Sequence, residues 1–297
     1  MSNDRREFLK TGAVLAAGAG LTASAESAQT PNDTSRLGRT AHTRFAVNLE
    51  MWWRNVQPFT RRIELAAGLG FQAIEFWPYE GKDIGAIADT CQRLKIEIAQ
   101  FTAWGFTPGL NDPRNHNRFV EKVEEACKIA QRLQCRMMCV VAGNDIAGMT
   151  QTQMHENVIA GLRRAIGILD KHNMTLILEP MNIRVDHKGH CLYGSDPTVR
   201  IIRAVNSTRV KMLADLYHLQ ITEGDLCGHL RDNFPHVAYY QIADHPGRNE
   251  PGTGEINYTR VLKQLHDLGY RGHVGLELRP RGTEVDAARA VSRADQW

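Results

Sequence analysis

Eight short runs rich in β-branched and aromatic residues alternate with helical patterns from residue 44 onward. These runs cover residues 44–49, 73–77, 97–103, 136–143, 175–180, 210–215, 237–244 and 274–279. The helical patterns include residues 120–134 and 154–172, where apolar side chains recur at helical spacing, and a last helix over 284–293. Eight strand–helix units in about 250 residues match the count and length of a (β/α)8 TIM barrel. The alternation therefore predicts one α/β domain, a TIM barrel over residues 44–297.

A doubly wound parallel sheet is the alternative α/β architecture. Such sheets usually have fewer strands and often carry a glycine-rich phosphate turn. Neither GxGxxG nor GxxxxGK[ST] occurs in the sequence. No linker rich in Pro, Gly or Ser interrupts residues 45–297, which favours the barrel as a single domain.

Composition and charge exclude two classes of partner. The chain has 297 residues, of which 42% are hydrophobic and 23% are charged, and its formal net charge is +3. This is the composition of an ordinary globular protein. The net charge is too small to indicate a nucleic-acid interface. No basic run of five or more residues occurs, so binding to a membrane surface is not predicted either.

Residues 1–25 resemble a twin-arginine export signal. Arg5 and Arg6 precede an uncharged stretch rich in Gly and Ala, and residues 23–25 offer a small-x-small cleavage site. The stretch is too short to span a bilayer comfortably; the alternatives are a short anchor helix and a disordered tail. We expect passage through the twin-arginine translocase, a periplasmic or otherwise exported protein, and no stable membrane insertion after cleavage. Residues 26–43 are predicted to be a flexible lead-in.

Four of the later strand runs each carry, near their end, one side chain that can bind a metal ion. These side chains are Glu179, Asp215, Gln241 and Glu277, on runs five to eight. The carboxyl ends of neighbouring barrel strands meet at one mouth, so we expect the four to converge. Three carboxylates and one amide oxygen form a hard-oxygen set suited to Mg²⁺ or Mn²⁺. A single strand-end carboxylate is more often a cap or an ion-pair partner, but four consecutive strands predict a metal site.

Further polar side chains follow the same strand ends. Asp186 lies in the loop after the fifth run, and His218 lies three residues after Asp215. Arg248 and Glu255 lie in the Gly- and Pro-rich loop after the seventh run. As a plain surface turn this loop needs no explanation. As part of an active site it would bring Arg248 to the substrate, where a guanidinium suits a carboxylate or several hydroxyls. The alternative for His218 is a satisfied surface histidine.

Aromatic side chains are expected at the other half of the mouth. Four tryptophans lie just past the first three strand runs: Trp52, Trp53, Trp77 and Trp104. They shape the pocket, with Trp104 as a substrate-binding candidate, or they cap the core or form the interface of a homo-oligomer. Glu75 in the second run is expected to be a structural carboxylate or to contact the site residues, and Asn182 after the fifth run to donate a hydrogen bond to them.

Several motifs together resemble the hydroxypyruvate isomerase family, within the xylose-isomerase-like TIM barrels. They are LEPMN, DLYHLQ, QIADHPGRNEPGTGEIN and GLELRP, and the resemblance covers nearly all of residues 45–297. The loop after the seventh strand is the most specific match. Related ketose 3-epimerases have a histidine as the third metal ligand, and Gln241 resembles the hydroxypyruvate isomerase branch instead.

The resemblance implies a reaction and roles for the site residues. It implies that the four strand-end side chains bind Mg²⁺ or Mn²⁺ and that Glu179 and Glu277 form the acid–base pair. His218 and Arg248 match positions that contact substrate oxygens. The expected reaction converts hydroxypyruvate to tartronate semialdehyde (2-hydroxy-3-oxopropanoate) by proton transfer through a metal-bound enediolate.

Two other functions use the same residues differently. A keto-sugar 3-epimerase or a keto-glycoside lyase of the cell envelope would share the ion and the proton transfer, and the export signal favours it. A non-catalytic sugar-binding protein is the third possibility, but it has no need for two ligating glutamates placed for proton transfer. An endonuclease IV-like repair enzyme needs a His-rich trinuclear zinc site and a basic face, which the sequence does not show.

Overall fold

Residues 33–297 are described by the computed structural model, and Thr34–Trp297 form a compact unit. This part of the chain contains a closed barrel of eight parallel strands that pair in sequence order, with β8 pairing back onto β1. The strands are β1 (Arg44–Asn48), β2 (Ala73–Phe76), β3 (Glu97–Trp104), β4 (Met137–Val141), β5 (Thr175–Glu179), β6 (Val210–Asp215), β7 (Val237–Gln241) and β8 (His273–Leu276). The predicted (β/α)8 TIM barrel is confirmed.

Nine α-helices and two short 3-10 helices within residues 33–297 surround or connect the strands. They are α1 (Phe59–Gly68), α2 (Ile84–Leu94), α3 (His116–Arg132), α4 (Gln151–His172), α5 (Ser195–Val205), α6 (Leu216–Thr222), α7 (Leu226–Asn233), α8 (Tyr258–Asp267) and α9 (Glu284–Ala294), with 3-10 helices at Pro113–Asn115 and Phe234–His236. Local sequence sets their ends: α4 begins with a capping box between Thr150 and Gln153 and ends at Asn173, which takes the left-handed conformation.

The seventh and eighth strands are shorter than their predicted runs and end at Gln241 and Leu276. Beyond the seventh strand the backbone hydrogen-bonds within the following loop, where the N–H of Asp244 donates to the carbonyl of Asn249 at 2.7 Å. Glu277 therefore lies just after its strand rather than within it. The other strand boundaries lie within two residues of the predicted ones.

Alternate residues of the strands point into the barrel, as a two-residue period requires. The interior apolar layer consists of Ala46, Ala73, Ala99, Cys139, Ile177, Leu213 and Tyr239, while Val141 and Met181 of the same cluster lie nearer the mouth. Two residues further along four of these strands lie Glu75, Glu179, Asp215 and Gln241. The barrel interior therefore has an apolar floor and a polar layer nearer the mouth. A larger apolar cluster fills the space between strands and helices.

The segment 34–43 is attached to the barrel, although the sequence predicts a flexible lead-in as far as residue 43. The N–H of Gly38 donates to the carbonyl of Leu69 at 2.8 Å. The buried Asp295 carboxylate accepts hydrogen bonds from the backbone N–H groups of His42 (2.9 Å) and Thr43 (3.0 Å). The polar backbone of this segment thus finds fixed acceptors, and a flexible lead-in can extend at most to residue 33.

Residues 1–32 lie outside the described part of the chain. The predicted signal peptide, its cleavage site and most of the lead-in fall there, so export and localisation stay predictions. Among the helices of residues 33–297, none combines the length and apolar character that a membrane span needs.

We predict that Asp295→Ala lowers the free energy of unfolding by about 2–4 kcal/mol, because two backbone N–H groups and the Thr43 hydroxyl lose their buried acceptor. Urea denaturation at pH 7 measures the change. Asp232→Ala is the matched control: Asp232 is exposed and pairs with its neighbour Arg231, so a change of at most about 0.5 kcal/mol is expected. Equal effects of the two substitutions would contradict the role of Asp295 as a link between the first strand and the last helix.

Candidate active site

The four predicted strand-end side chains converge at the mouth of the barrel. Glu179, Asp215 and Gln241 are the last residues of β5, β6 and β7, and Glu277 directly follows β8. All four are buried, with at most 5% of each residue exposed. The strand register aligns Asp215 with Gln241, and Gln241 with Gly275, so the side chains come from neighbouring positions on the same edge.

Arg248 is the cation that balances this cluster. Its Nη2 donates to Oδ2 of Asp215 at 3.0 Å and to Oε1 of Glu277. The guanidinium also lies over the ring of Tyr217, 4.9 Å from the centroid. Among the described residues that line the adjoining cavity, Arg248 is the only Arg or Lys. One positive charge therefore faces three buried carboxyl groups.

Burial and mutual repulsion make full ionisation of this cluster unfavourable. Burial, followed by the charge of Asp215, raises the pKa of Glu179 to about 8. Burial also raises the pKa of Asp215, although Arg248 opposes the shift. Burial and the charge of Glu179 hold the pKa of Glu277 well above its usual range. A divalent cation would offset the repulsion and favour the ionised forms.

The amide of Gln241 leaves its carbonyl oxygen free. Its Nε2 donates to Oε1 of Glu75 at 2.9 Å and to Oε2 of Glu277 at 2.5 Å. Its Oε1 is buried and has no hydrogen-bond partner within residues 33–297. Most buried polar atoms have a hydrogen-bond partner, so this oxygen is free to bind another group. Gln241 Oε1 thus completes a set of oxygens that fits a hard divalent cation.

His218 is oriented by Asn182. Oδ1 of Asn182 accepts from the backbone N–H groups of Val185 (2.9 Å) and Asp186 (3.1 Å), which fixes which end of the amide is the donor. Nδ2 of Asn182 then donates to Nδ1 of His218 at 2.7 Å. Burial, and after it Arg248, keeps the pKa of His218 well below its usual range, so the ring is neutral. A neutral ring that accepts at Nδ1 carries its proton on Nε2.

The protonated Nε2 decides between two possible ligand sets. Atoms of Glu179, Asp215 and His218 lie within 4.8 Å of one another, which is compact enough for a metal ion. Nε2 of His218 faces Oδ2 of Asp215 at 3.5 Å and Oε1 of Glu179 at 3.9 Å. Nη2 of Arg248, a donor, also lies 3.4 Å from Nε2, but the 2.7 Å contact at Nδ1 is much shorter and sets the tautomer. A ring nitrogen that carries a proton has no lone pair for an ion. We therefore favour the all-oxygen set with Gln241 and assign His218 as a hydrogen-bond donor.

The loop that carries Arg248 is organised by Asp244, a residue that the sequence did not single out. Asp244 is fully buried. Its carboxylate accepts from the backbone N–H groups of Gly252 (2.8 Å), Gly254 (2.9 Å) and Ile256 (3.0 Å). The N–H of Arg248 donates to the carbonyl of Asp244 at 2.9 Å, and Arg248 takes a left-handed conformation with φ +56°. The position of Asp244 in the QIADHPG motif, directly before the loop, is the sequence signal that could have identified this residue.

A cavity of about 440 Å³ opens above the cluster. One wall is polar and contains Glu179, His218, Arg248 and Glu277. The facing residues are largely apolar or aromatic and include Trp77, Ala103, Phe106, Val141 and Met181. Asp215 and Gln241 do not line the cavity within the described part of the chain. The two glutamates therefore differ from the other two candidate ligands, because they can reach a bound molecule as well.

Comparison with known proteins identifies the family. The model of the xylose isomerase-like TIM barrel family matches residues 63–295. The chain belongs to this family. Hydroxypyruvate isomerase of Escherichia coli (strain K12) is 32% identical over 247 residues, which cover 81% of this chain and 95% of that protein. The 2-oxo-tetronate isomerase of Cupriavidus necator is 31% identical over 248 residues, covering 80% and 93%. The chain is thus an isomerase of the hydroxypyruvate isomerase family.

Solved structures agree with this fold. An AP endonuclease, family 2, from Brucella melitensis superposes with a TM-score of 0.77 at 31% identity, covering 82% of this chain and 96% of that one. A 3-keto-D-glucoside 4-epimerase from E. coli superposes with a TM-score of 0.70 over 85% of this chain and 98% of that one. The epimerase is 20% identical, so it supports the fold alone.

Three predicted substrate-binding residues do not line the cavity. The ring of Trp104 packs edge to face against Phe119 of α3, with centroids 5.3 Å apart. A register shift between Thr102 and Trp104 in β3 accompanies this outward packing. Glu255 is exposed and accepts from Gln220 at 3.1 Å. Asp186 reaches the site indirectly, because Nδ2 of Asn182 donates to its carboxylate at 2.7 Å.

We predict that NMR of ¹⁵N-histidine-labelled protein shows His218 as a neutral ring with the proton on Nε2 at pH 7. Asn182→Leu removes the donor to Nδ1, so a second tautomer should become populated. Asn117→Leu is the matched control, because Asn117 is an exposed partner of Arg164 and does not contact His218. A wild-type ring protonated on Nδ1 alone would refute the assignment of His218 as a donor at Nε2.

Proposed function

We propose that the protein is a divalent-metal-dependent isomerase that converts hydroxypyruvate to tartronate semialdehyde. Relatives named as hydroxypyruvate isomerase and 2-oxo-tetronate isomerase support a small α-hydroxy-carbonyl substrate. One observation carries the proposal: of the four clustered strand-end side chains, the two glutamates alone line the cavity within residues 33–297. Glu179 and Glu277 can therefore act on the substrate, while Asp215 and Gln241 complete a ligand set.

The proposed ion is Mg²⁺ or Mn²⁺, held by Glu179, Asp215, Gln241 and Glu277. The support is the unpartnered Oε1 of Gln241 and the excess of buried carboxyl groups over cationic side chains. When bound, such an ion supplies Lewis-acid stabilisation of negative charge on substrate oxygens and orients the substrate. Both ions prefer oxygen ligands, so the donor set fits either.

Proton transfer is assigned to the two glutamates. Isomerisation moves one proton between adjacent carbons and another between the attached oxygens. One glutamate, as a carboxylate, removes the proton from carbon, which gives an enediolate. The other, as a carboxylic acid, gives a proton to the neighbouring carbon, and the hydroxyl proton passes to the former carbonyl oxygen. Positioned acid–base groups contribute about 10²–10⁴-fold to the rate.

His218 and Arg248 are proposed to bind substrate oxygens. The Nε2–H of His218 is a neutral donor that Asn182 holds in one tautomer. It can stabilise developing oxyanion charge without giving up its proton. Arg248 supplies a permanent positive charge at the same wall of the cavity. Its guanidinium suits the carboxylate of a keto acid.

A keto-sugar 3-epimerase or keto-glycoside lyase is the second candidate function. The cavity of about 440 Å³ is larger than a three-carbon acid needs. Trp77 and Phe106 give it an aromatic side, which suits the apolar face of a sugar. Location in the cell envelope would favour this function, and both export and homo-oligomer formation remain proposals.

We predict that the Mn²⁺-loaded protein exchanges deuterium into hydroxypyruvate in D₂O and forms tartronate semialdehyde, both followed by NMR. Glu277→Gln should slow exchange by about 10²–10⁴-fold, because one of the two proton-transfer groups is lost. Glu97→Gln is the matched control. Glu97 begins β3 at the opposite end of the barrel, where it pairs with Arg44 on the surface, so activity should be unchanged.

The panel of substrates separates the candidate functions. Exchange only in a keto-sugar would favour the epimerase or lyase. No exchange in hydroxypyruvate or any keto-sugar, with Mn²⁺ bound, would count against catalysis and favour a sugar-binding protein. Near-full turnover by Glu277→Gln with Mn²⁺ still bound would show that the two-glutamate mechanism is wrong.

We predict that affinity for Mn²⁺ rises with pH from pH 6 to 8. Burial raises the pKa of Glu179 to about 8, so at lower pH the carboxyl holds a proton that the ion must displace. Each displaced proton corresponds to about tenfold in affinity per pH unit, and the raised pKa of Glu277 makes its carboxyl a second source of such a proton. Electron paramagnetic resonance (EPR) titrations of free Mn²⁺ from pH 6 to 8 measure the slope. Glu179→Gln should reduce it, and a pH-independent wild-type affinity would contradict the prediction.

A further inference from the structure

Glu75 is a buried carboxyl group inside the barrel that proton transfer does not use. It lies on β2, is fully buried, and is surrounded by hydrogen-bond donors. Asn48 Nδ2 and Gln241 Nε2 donate to Oε1 at 3.0 and 2.9 Å. Gln100 Nε2 and the hydroxyl of Tyr239 donate to Oε2 at 3.1 and 2.7 Å. A buried carboxylate is unfavourable unless hydrogen bonds compensate its desolvation, so these donors hold it in one place.

The contact with Gln241 fixes the direction of an amide. Nε2 of Gln241 lies between oxygens of Glu75 and Glu277. If the amide were reversed, its Oε1 would face Oε1 of Glu75, an acceptor that already receives a hydrogen bond from Asn48 and has no hydrogen to offer. The observed direction is therefore strongly preferred. It leaves Oε1 buried and, within residues 33–297, without a partner.

Glu75 and Glu277 do not contribute equally to this preference. Glu277 lines the cavity and is itself a proposed ligand, so its oxygens are shared with an ion and a substrate. Glu75 does not line the cavity among the described residues. Its contact with Gln241 therefore does not compete with a molecule in the cavity. Glu75 is thus the constant partner of the Gln241 amide.

Gly275 leaves the space in which these two side chains meet. A Cβ atom at this position of β8 would lie 2.5 Å from Oε2 of Glu75 and 2.7 Å from Cγ of Gln241. Real Cβ atoms do not approach so closely, so any other residue would push the pair apart. Glycine, which has no Cβ atom, therefore leaves room at this position of β8 for the contact between Glu75 and Gln241.

We propose that Glu75 is a positioning residue that turns the Gln241 amide so that its carbonyl oxygen is offered to the divalent ion. This inference rests on the proposed metal-dependent function. Glu75 acts through Gln241 and touches neither ion nor substrate. Partners that orient metal ligands in this way typically contribute 10–100-fold to metal affinity.

The test measures Mn²⁺ affinity by EPR titration of the whole protein without substrate. Glu75→Leu removes the acceptor and should weaken Mn²⁺ binding at least about tenfold. Glu75→Gln keeps one acceptor oxygen for Gln241, and its amide can donate to Oε1 of Gln100, which is buried and unpartnered within the described part of the chain. Its affinity should stay within about threefold of wild type. Rescue by this conservative variant would identify orientation, rather than charge, as the contribution.

Tyr239→Phe is the matched control. It removes a donor to the far oxygen of Glu75 and does not touch Gln241. A lower melting temperature with wild-type Mn²⁺ affinity is expected, which separates stability from positioning. Gly275→Ala is the second variant, used if Glu75→Leu does not fold. It displaces Glu75 without removing it and should also weaken Mn²⁺ binding about tenfold.

The outcomes separate this inference from the proposed function. Folded Glu75→Leu or Gly275→Ala protein with wild-type Mn²⁺ affinity would overturn the positioning role while leaving the isomerase intact. Equal weakening by Tyr239→Phe and Glu75→Leu would also overturn it, because a general loss of packing would then explain both. A wild-type protein that isomerises hydroxypyruvate but binds no Mn²⁺ would remove the metal and this inference together.

Discussion

The site depends on one constraint: buried carboxyl groups outnumber the cationic side chains that contact them. Glu75, Glu179, Asp215 and Glu277 lie inside the barrel mouth, and Arg248 is the cation that contacts two of them. Keeping one ionised carboxylate away from water costs several kcal/mol unless it is compensated. Hydrogen-bond donors compensate Glu75, whereas the other three face a shared cavity or one another. This excess of buried carboxyl groups is the support for the proposed cation.

Polar side chains around these carboxylates are held in place by hydrogen bonds to the backbone and to one another. Asn182 is oriented by two backbone N–H groups and in turn orients His218. Asp244 gathers backbone N–H groups of its loop and thereby places Arg248. His218 and Arg248 are thus held before any substrate arrives, and such preorganisation is a main source of catalytic power.

The sequence predicted the barrel and the convergence of its strand ends because both follow from periodicity. Residue spacing alone places Glu179 and Asp215 on the inner face of consecutive strands. The ring of Trp104 packs against Phe119 beside a register shift in β3, and no local sequence signal marks either feature. Glu255 was misplaced because the shape of its loop depends on Asp244. The unpartnered oxygen of Gln241 depends on contacts between distant strands, so only the structure could reveal it.

The two halves of the barrel contribute different parts of the site. Strands β5 to β8 carry the four candidate ligands, while β2, β3 and the segments after them carry Glu75, Trp77 and Phe106. The side of the cavity that a substrate's remote end would meet can thus vary without disturbing the candidate ligands. Glu75 is the exception, because it accepts hydrogen bonds from Tyr239 and Gln241 of the second half in the space that Gly275 leaves. A lineage could diversify its substrates through the first half alone and keep its chemistry, provided that this junction stays open.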